Sequence, residues 1–515
     1  MYAAEYARSR ADQPAFVMAQ TGEAITHAEL EARSNRLAHF LRSVGLRRLD
    51  HYSIFMENNA RYLECCAAGE RAGLYYTCIN SFLTPEEVAY IVNNSESKVL
   101  IFSREKRSVA TEALKDCPNV EVAIIVDAPG NGQIFNLHDA TTGFPSTPIP
   151  GESLGIAMLY SSGTTGRPKG IVRPLPEVSP AQALPIYQFL SNLWRYREGM
   201  IYLSPAPLYH SAPHAGVNLA IRMGGTAVIM ERFDPERYLK LVDTFRPSHT
   251  QLVPTMFSRM LKLPDEVRRR YDVSSLEVAV HGAAPCPVQV KEQMIDWWGP
   301  IILEYYSATE GMGFAACDSE QWLSHRGTVG QIVLGELQVL DENMRPAPKG
   351  EPGTLWFKAG TEFSYFNDPV KTAEGHSPDG SMATVGDVGY VDDDGYLYLT
   401  DRATFMIISG GVNIYPQECE NLLITHPKVA DAAVFGVPDE DLGEAVKAVV
   451  QPMPGVQPGP ELIEELIAFC GDHLSRQKVP RSIDFEDELP RLPTGKLYKR
   501  LLRDRYWTDH QSRIV

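Results

Sequence analysis

The sequence has no excess of positive charge, because its 65 aspartates and glutamates outnumber its 48 lysines and arginines. The formal net charge of -17 argues against a general nucleic-acid-binding protein, since affinity for a phosphate backbone requires a basic surface. An anionic ligand would therefore have to be bound by local donor groups. The sequence also lacks an uninterrupted apolar run near the roughly 18 residues of a membrane span, so we expect no transmembrane segment.

Cysteine is scarce, and its spacing forms no familiar metal or redox motif. Among the 8 cysteines the only close pair is the adjacent Cys65 and Cys66, which fits neither a zinc knuckle nor a Cys-x-x-Cys motif. The segment from Met1 to Pro14 contains charged residues of both signs and no apolar core, so no secretory signal is expected there. These absences predict a cytoplasmic protein with reduced thiols.

The length and the order of apolar segments predict an α/β protein with more than one domain. A chain of 515 residues exceeds what one hydrophobic core usually organises. Thr26 and Glu29 form the Ser/Thr-x-x-Glu pattern of a helix start, which predicts an amphipathic helix to about Val44. Apolar runs typical of buried strands alternate with helical stretches and lie at residues 52–56, 99–102, 122–126, 155–160, 227–230, 250–253 and 278–280. This alternation predicts two similar α/β subdomains.

The pattern changes after residue 329. Alternating residues punctuated by glycine at 335–340 and 353–357 predict antiparallel strands in a β-barrel-like subdomain. Apolar runs at 432–437 and 446–450 and a helical pattern at 461–474 then predict a compact α+β module. The predicted architecture is a large N-terminal domain, residues 1–402, followed by a small C-terminal domain, residues 403–515.

A polar, glycine-rich loop follows the predicted strand at 155–160. It consists of Ser161, Ser162, Gly163, Thr164, Thr165, Gly166, Arg167, Pro168, Lys169 and Gly170. Glycines allow close backbone approach, hydroxyls donate hydrogen bonds and the lysine adds positive charge, which together suit a polyphosphate. The loop is not a Walker A motif, because its lysine lies between a proline and a glycine. A flexible surface turn is the alternative interpretation.

This loop resembles the phosphate-binding signature of the adenylate-forming superfamily, which includes acyl-CoA synthetases, luciferases and peptide-synthetase adenylation domains. Further segments resemble superfamily motifs in the same order, at residues 207–210, 282–285, 304–310, 386–390, 401–402, 409–413 and 490–496. The resemblance implies that Ser161, Ser162, Gly163, Thr164, Thr165, Gly166 and Lys169 bind the phosphates of ATP. It extends over nearly the whole chain.

The resemblance also implies the contacts to the rest of the nucleotide. Gly282, Ala283 and Ala284 would lie against adenine, and Glu304, Tyr305, Tyr306 and Ser307 would form the adjoining strand end, with Tyr306 stacked on the base. Thr309 would bind the adenylate phosphate and Glu310 would hold Mg²⁺, which prefers oxygen ligands. Asp387 would accept the ribose hydroxyls, and Arg402 would contact ribose or phosphate.

The remaining motifs imply catalysis in two steps. Lys496 would bridge the carboxylate and the α-phosphate as negative charge builds up, and His210 would lie near the reacting carboxylate. The small domain is then expected to rotate, bringing Ser409, Gly410 and Gly411 to the pantetheine of coenzyme A. Because the two glycines have no side chains, they would leave a narrow slot beside the backbone for the pantetheine arm.

The resulting hypothesis is an ATP-dependent, AMP-forming acid:coenzyme A ligase of fatty acid or related lipid metabolism, with ATP, Mg²⁺ and coenzyme A as its cofactors and co-substrates. Small residues in the segments 209–218, 306–314 and 327–330 favour a bulky or long apolar acid. The alternatives are an adenylation enzyme that loads a carrier protein, a luciferase-like oxygenase, and a nucleotide-binding scaffold without activity. No nucleic-acid partner is expected, and a homodimer is one expectation for its assembly.

Overall fold

The structure is a computed structural model that describes residues 2–161, 168–182, 184–358, 363–402, 405–410, 412–439, 441–491 and 497–507. The chain divides into two compact units. Unit 1 comprises Met1–Leu252, Leu263–Val280 and Thr361–Glu374, and unit 2 comprises Val253–Lys262, His281–Gly360 and Gly375–Val515. The predicted boundary between residues 402 and 403 stays a prediction.

The helices begin mostly at prolines or at residues that can cap them. They are α1 Tyr6–Ser9, α2 His27–Ser43, α3 Tyr62–Ala72, α4 Pro85–Asn94, α5 Arg107–Ala113, α6 Leu137–Thr141, α7 Pro185–Leu193, α8 Ser211–Arg222, α9 Pro235–Phe245, α10 Pro254–Leu261, α11 Asp265–Arg268, α12 Val288–Trp298, α13 Ser319–Ser324, α14 Pro369–Glu374, α15 Pro416–Leu423, α16 Pro460–His473 and α17 Lys499–Arg503. Among the described residues, no helix combines the length and apolar character that crossing a membrane requires.

The strands are mostly short. They are β1 Pro14–Met18, β2 Ala24–Thr26, β3 His51–Phe55, β4 Tyr75–Ile79, β5 Val99–Ser103, β6 Val122–Val126, β7 Ile134–Asn136, β8 Ile156–Ala157, β9 Leu159–Ser161, β10 Lys169–Val172, β11 Ile201–Ser204, β12 Thr226–Ile229, β13 His249–Leu252, β14 Val278–His281, β15 Ile302–Tyr306, β16 Phe314–Cys317, β17 Gly330–Leu334, β18 Glu336–Leu340, β19 Gly353–Lys358, β20 Ser364–Tyr365, β21 Met382–Ala383, β22 Asp387–Val391, β23 Tyr396–Arg402, β24 Ile407–Ser409, β25 Val412–Ile414, β26 Val429–Asp439, β27 Gly443–Pro452 and β28 Ser482–Phe485.

Unit 1 contains two parallel arrangements of strands, as expected for two similar α/β halves. One sheet has the order β7-β6-β5-β3-β4-β8, with every neighbouring pair parallel. In the other arrangement β13, β11, β12 and β1 are parallel, and β2 adds an antiparallel edge. Every residue of β3, β4 and β5 is buried, so both faces of the first sheet are covered, as is usual for parallel sheets.

Local sequence signals account for the long helix near the amino terminus of unit 1. The Thr26 side chain accepts a hydrogen bond from the Glu29 backbone amide, and the Glu29 carboxylate accepts one from the Thr26 amide. This reciprocal capping satisfies two amides that a helix start otherwise leaves unpaired. Helix α2 then ends at Ser43, which confirms the predicted helix.

The prediction of a single strand at residues 155–160 is wrong, because this segment forms two strands that belong to different sheets. Strand β8 pairs with β4 in the six-stranded sheet, whereas β9 pairs with β10 in a separate antiparallel sheet with β20. Met158 lies between the two strands, and its amide still bonds to the Tyr76 carbonyl. The apolar run is therefore continuous while the strand is not.

Unit 2 contains the antiparallel region that was predicted after residue 329. Its strands follow the order β15-β16-β17-β23-β22-β19-β18, and β21 pairs with β19. Toward the carboxyl terminus, β26 and β27 form a long antiparallel ladder to which β28 adds in parallel. Apolar residues of this second sheet and of α15 and α16 form one core, which includes Val434, Ala448 and Leu466.

Candidate active site

The segment predicted to lie against adenine is a strained turn in unit 2. Strand β14 ends at His281, and Ala283 then adopts φ of +70°. A non-glycine residue in this left-handed region costs about 1–2 kcal/mol. A Cβ at Gly282 would lie 2.8 Å from Tyr305 Cε1 and 2.9 Å from the Tyr305 carbonyl oxygen, so only glycine fits there. Such strain is typical of functional sites.

Strand β15 presents Glu304, Tyr305 and Tyr306. The Glu304 carboxylate is buried and forms an ion pair with Lys291 of α12, whose ammonium group lies 4.7 Å from the centre of the Trp322 ring. Because this side chain is committed to an interior ion pair, any ligand contact at Glu304 would have to come from its backbone. The Tyr305 ring stacks on Phe314, with centroids 5.2 Å apart.

Tyr306 and Asp387, which are far apart in sequence, meet in unit 2. The Tyr306 hydroxyl donates a hydrogen bond of 2.8 Å to Asp387 Oδ2. Asp387 begins strand β22, and in the ladder with β23 it is the direct partner of Arg402. Three residues with predicted nucleotide contacts are therefore grouped at one end of the antiparallel sheet.

The turn after β15 is held by a hydrogen bond from Ser307. The Ser307 hydroxyl donates a hydrogen bond of 2.8 Å to the Gly313 carbonyl, which holds the two ends of the turn together. Thr309 and Glu310 lie within this turn, and Glu310 is only 6% exposed. A carboxylate and a hydroxyl are suitable ligands for a hard cation such as Mg²⁺.

In unit 1, the two strands that flank the predicted phosphate loop pair with each other. Ser161 of β9 and Lys169 of β10 are direct partners in an antiparallel ladder. The Lys169 ammonium group lies 4.7 Å from the centre of the Tyr365 ring, within range of a cation–π interaction. Ser162, Gly163, Thr164, Thr165 and Gly166 lie outside the described residues.

His210 precedes helix α8 in unit 1 and has a neutral ring at pH 7, because burial lowers its pKa to about 3. Its Nε2 atom is buried and has no hydrogen-bond partner among the described residues. The ring contacts Tyr209, with centroids 4.5 Å apart. A buried polar atom without a partner is rare in native proteins and is consistent with a ligand contact.

The predicted residues of the C-terminal region are only partly described. Ser409 ends strand β24, and the Gly410 amide donates a hydrogen bond of 2.8 Å to the Leu442 carbonyl. Gly411 and Lys496 lie outside the described residues. Arg491 and Leu497, which flank the Lys496 segment, pair as an antiparallel bridge, and Arg491 forms an ion pair with Asp431.

Lys291, which forms an ion pair with Glu304, is not among the residues predicted from the sequence. The signal was present but weak: Lys291 shares one face of α12 with the buried residues Met294, Ile295 and Trp298. A lysine on the apolar face of a helix requires a charged partner. Nothing in the local sequence identifies that partner as Glu304.

Two family models match the chain. A model described as "AMP-binding enzyme" matches residues 3–363, and one described as "AMP-binding enzyme C-terminal domain" matches residues 418–496. The first of these alone extends over more than half of the chain.

Individual relatives match along nearly their whole lengths. The chain is 30% identical to the long-chain-fatty-acid–CoA ligase FadD13 of Mycobacterium tuberculosis, over 96% of this chain and 95% of that protein. It is 32% identical to a feruloyl-CoA synthase of Amycolatopsis, over 97% of both. Among solved structures, the amide bond synthetase McbA of Marinactinospora thermotolerans is similar with a TM-score of 0.81 and 27% identity, over 98% of this chain and 100% of that one.

Proposed function

Because the chain belongs to the family of AMP-binding enzymes, we propose that it joins a carboxylic acid to coenzyme A in an ATP-dependent, AMP-forming reaction. The family membership confirms the resemblance on which the hypothesis was based, and the similarity to a solved structure of this kind confirms the mixed α/β fold class. The individual site residues stay predictions. The identity of the acid and the transfer to coenzyme A are part of the proposal.

The observation that carries this proposal is the hydrogen bond between Tyr306 and Asp387. A carboxylate can accept both hydroxyls of a ribose, and a fixed phenol ring beside it offers an aromatic face to a base. The Tyr306 hydroxyl holds the Asp387 carboxylate in one orientation, and Arg402 is its neighbour across the ladder. This arrangement supports nucleotide binding at this end of unit 2.

The proposed reaction has two steps. A carboxylate oxygen first attacks the α-phosphorus of ATP and displaces pyrophosphate, so that catalysis consists mainly of positioning and charge stabilisation. Thr309 and Lys496 would donate hydrogen bonds to the oxygens that gain negative charge. Mg²⁺, when bound at Glu310, would neutralise part of the phosphate charge. The thiol of coenzyme A then attacks the acyl carbonyl, forming the thioester and releasing AMP.

We propose a bulky or long apolar acid as the substrate. The two ligases described above are named for a long-chain fatty acid and for ferulate, which are both largely apolar. His210 is neutral, so it would contact an acid through a hydrogen bond and not through a fixed positive charge. Helix α8, which follows it, is mostly buried and contains the apolar residues Val217, Leu219 and Ile221.

A second candidate concerns the acceptor of the acyl group. The similar structure McbA is named as an amide bond synthetase, and an amide bond forms when an amine accepts the acyl group. An amine is therefore one alternative acceptor. A carrier-protein thiol is the other acceptor consistent with the same first step. These alternatives share the adenylate and differ only in what attacks it.

The proposal predicts acid-dependent AMP release and formation of acyl-CoA. Purified enzyme with ATP and Mg²⁺ would be tested on short, medium, long-chain, aromatic and steroidal acids, with coenzyme A, a phosphopantetheinylated carrier protein, an amine or hydroxylamine as acceptor. We expect the highest kcat/KM with a long or bulky apolar acid and coenzyme A, measured by mass spectrometry of the acyl product.

Each acceptor gives a different product, so the experiment distinguishes the alternative functions. Hydroxamate formation with hydroxylamine reports the adenylate even when no natural acceptor works. Faster loading of the carrier protein or of the amine would replace the proposed acceptor while keeping the first step. If none of the acids stimulates AMP release, the proposed function is contradicted. Light emission in oxygen would favour an oxygenase.

Removing the bond between Tyr306 and Asp387 should weaken ATP binding. A hydrogen bond to a charged group contributes about 1.5–3 kcal/mol, so Tyr306→Phe and Asp387→Asn are each expected to raise the KM for ATP about tenfold or more. The measurement is pyrophosphate exchange at varied ATP concentration. The KM for the acid should change much less.

Tyr398→Phe provides a matched control. Tyr398 lies on β23 of the same antiparallel sheet, and its hydroxyl donates a hydrogen bond of 3.1 Å to Asp392, which follows β22. This variant therefore removes the same kind of bond from a residue without a proposed ligand contact. Its KM for ATP should equal that of the unaltered enzyme. An equal rise in the control and in Tyr306→Phe would show that the effect is general to the sheet.

A further inference from the structure

Unit 1 contains a buried cluster of two cysteines and a histidine that the proposed reaction does not use. One ligand atom from each of Cys66, Cys78 and His214 lies within 4.8 Å of the other two. Their exposed fractions are 0%, 3% and 5%, respectively. Sequence spacing did not reveal this cluster, because the three residues belong to three separate elements.

Helix and strand periodicity explain why these residues meet. Cys66 and Glu70 are four residues apart on α3, and Tyr76 and Cys78 are two residues apart on β4, so each pair shares one face of its element. His214 lies on α8, with Asn218 one turn further along the same face. Where α3, β4 and α8 meet, their polar side chains form two groups. One group contains the two thiols and the imidazole, and the other contains Glu70 and its partners.

We propose that Cys66, Cys78 and His214 bind one zinc ion. Zinc prefers sulfur and imidazole ligands at about 2.3 Å and 2.0–2.1 Å, and a cluster of this size can contract to those distances with small side-chain rotations. Two thiolates balance the charge of Zn²⁺, so that the filled site is neutral in a buried environment. Hard cations such as Mg²⁺ are disfavoured because the cluster offers no carboxylate or carbonyl ligand.

The hydrogen bonds around His214 orient it as a metal ligand. Its Nε2 atom lies 2.9 Å from the Tyr76 hydroxyl, which in turn donates to Glu70 Oε1 at 3.3 Å. Nδ1 is buried, and the ring also interacts with the Leu208 backbone, a contact that metal binding at Nδ1 would replace. If Nε2 carries the proton and donates to Tyr76, the lone pair of Nδ1 is available to a metal. Metal-binding histidines are usually held by such a relay from the second ring nitrogen to a carboxylate.

The carboxylate at the end of this relay is itself fixed. Glu70 forms an ion pair of 2.9 Å with Arg222 and accepts a hydrogen bond of 2.7 Å from Asn218. Glu70 therefore remains an acceptor and keeps the Tyr76 hydroxyl directed away from the metal. Cysteines that serve only to fill the core would not need this hydrogen-bonded relay from His214 to Glu70.

Binding changes protonation but not oxidation state. When zinc binds, two Zn–S bonds and one Zn–N bond form, and the two thiol protons pass to the solvent. A water molecule would complete the four-coordinate geometry. The ion would then connect α3, β4 and α8, a structural role that is independent of the proposed ligase activity.

The test uses the full-length, reduced, metal-free protein and Co²⁺ or Zn²⁺ as the probe. We expect one equivalent of Co²⁺ to bind with a thiolate-to-cobalt charge-transfer band, Zn²⁺ to displace it, and the melting temperature to rise on binding. Cys66→Ser and Cys78→Ser should lose the band and at least tenfold of the affinity. Tyr76→Phe should weaken binding about 10- to 100-fold and retain the band.

Cys65→Ser is the matched control, because Cys65 is the adjacent residue of α3 and is equally buried but lies outside the cluster. It should bind Co²⁺ like the unaltered protein. Should Cys66→Ser fail to fold, Cys78→Ser provides the same comparison. The proposal is overturned if the unaltered protein shows no thiolate band, or if Cys65→Ser loses it to the same extent as Cys66→Ser.

Discussion

Replacing Lys496 by alanine is expected to abolish acid-dependent exchange of pyrophosphate into ATP. Removing a charged donor that stabilises a developing negative charge typically lowers the rate about 10²–10³-fold. Because Lys496 is proposed to lie between two anions, we expect its removal to lower the exchange rate by at least this factor. The measurement is isotope exchange with the best acid from the substrate panel. The same variant should retain most of its ability to form acyl-CoA from a supplied acyl-adenylate, because the proposed second step does not use this ammonium group.

Lys428→Ala is a suitable comparison for Lys496→Ala. Lys428 lies in the same C-terminal region, and its ammonium group forms a surface ion pair of 2.6 Å with Glu465. Surface ion pairs contribute little to stability, so this variant should keep both activities. Equal loss of the two half-reactions in Lys496→Ala would contradict the assignment of this lysine to the first step alone.

Acidification from pH 6.5 to pH 5 is expected to destabilise the protein strongly. Burial lowers the pKa of His51 and of His249 to about 4, and it lowers the pKa of His281 well below its usual value. In the unfolded chain these rings have a pKa of about 6.5, so below that pH the unfolded state binds protons that the folded state does not. Stability therefore falls as the pH decreases from 6.5 toward the folded-state values.

The expected size of this effect is large. Because each ring is already half protonated in the unfolded chain at pH 6.5, each of the three histidines contributes about 1.6 kcal/mol between pH 6.5 and pH 5. The total is about 5 kcal/mol, compared with 5–15 kcal/mol for typical whole-protein stability. Urea denaturation followed by circular dichroism at pH 7, 6 and 5 measures it. The denaturation midpoint should fall most steeply between pH 6 and pH 5.

A pair of variants isolates one histidine. His249→Gln removes one buried titrating ring and can retain hydrogen bonds to Ser248 and the Arg195 carbonyl, so the dependence of stability on pH should decrease by about 1.4 kcal/mol per pH unit. His138→Gln alters an exposed ring and should leave the dependence unchanged. A dependence that His249→Gln does not alter would contradict the proposed origin.

Several features of the molecule could be predicted from short stretches of sequence. The capping pattern of Thr26 and Glu29 predicted α2, and the apolar run of β6 predicted a strand with the bounds that the structure has. The ordered motifs predicted the family, which the family models confirm. These predictions succeeded because the determining interactions, capping hydrogen bonds and side-chain periodicity, lie within a few residues of each other.

Interactions between distant segments could not be predicted in this way. The ion pair of Lys291 with Glu304, the bond of Tyr306 to Asp387, and the change of sheets at Met158 each depend on where separate elements meet. The motifs indicated that Tyr306 and Asp387 serve the same ligand, but they did not indicate that the two side chains contact each other.

The sequence was thus sufficient to predict the α/β alternation, single elements such as α2 and β6, and the family, because each depends on local patterns. Only the packed structure showed that Cys66, Cys78 and His214 form a cluster and that Glu70, on the same helix as Cys66, pairs with Arg222. The physical reason is that α3, β4 and α8 are far apart along the chain, and how they pack against each other fixes contacts that no local pattern spans.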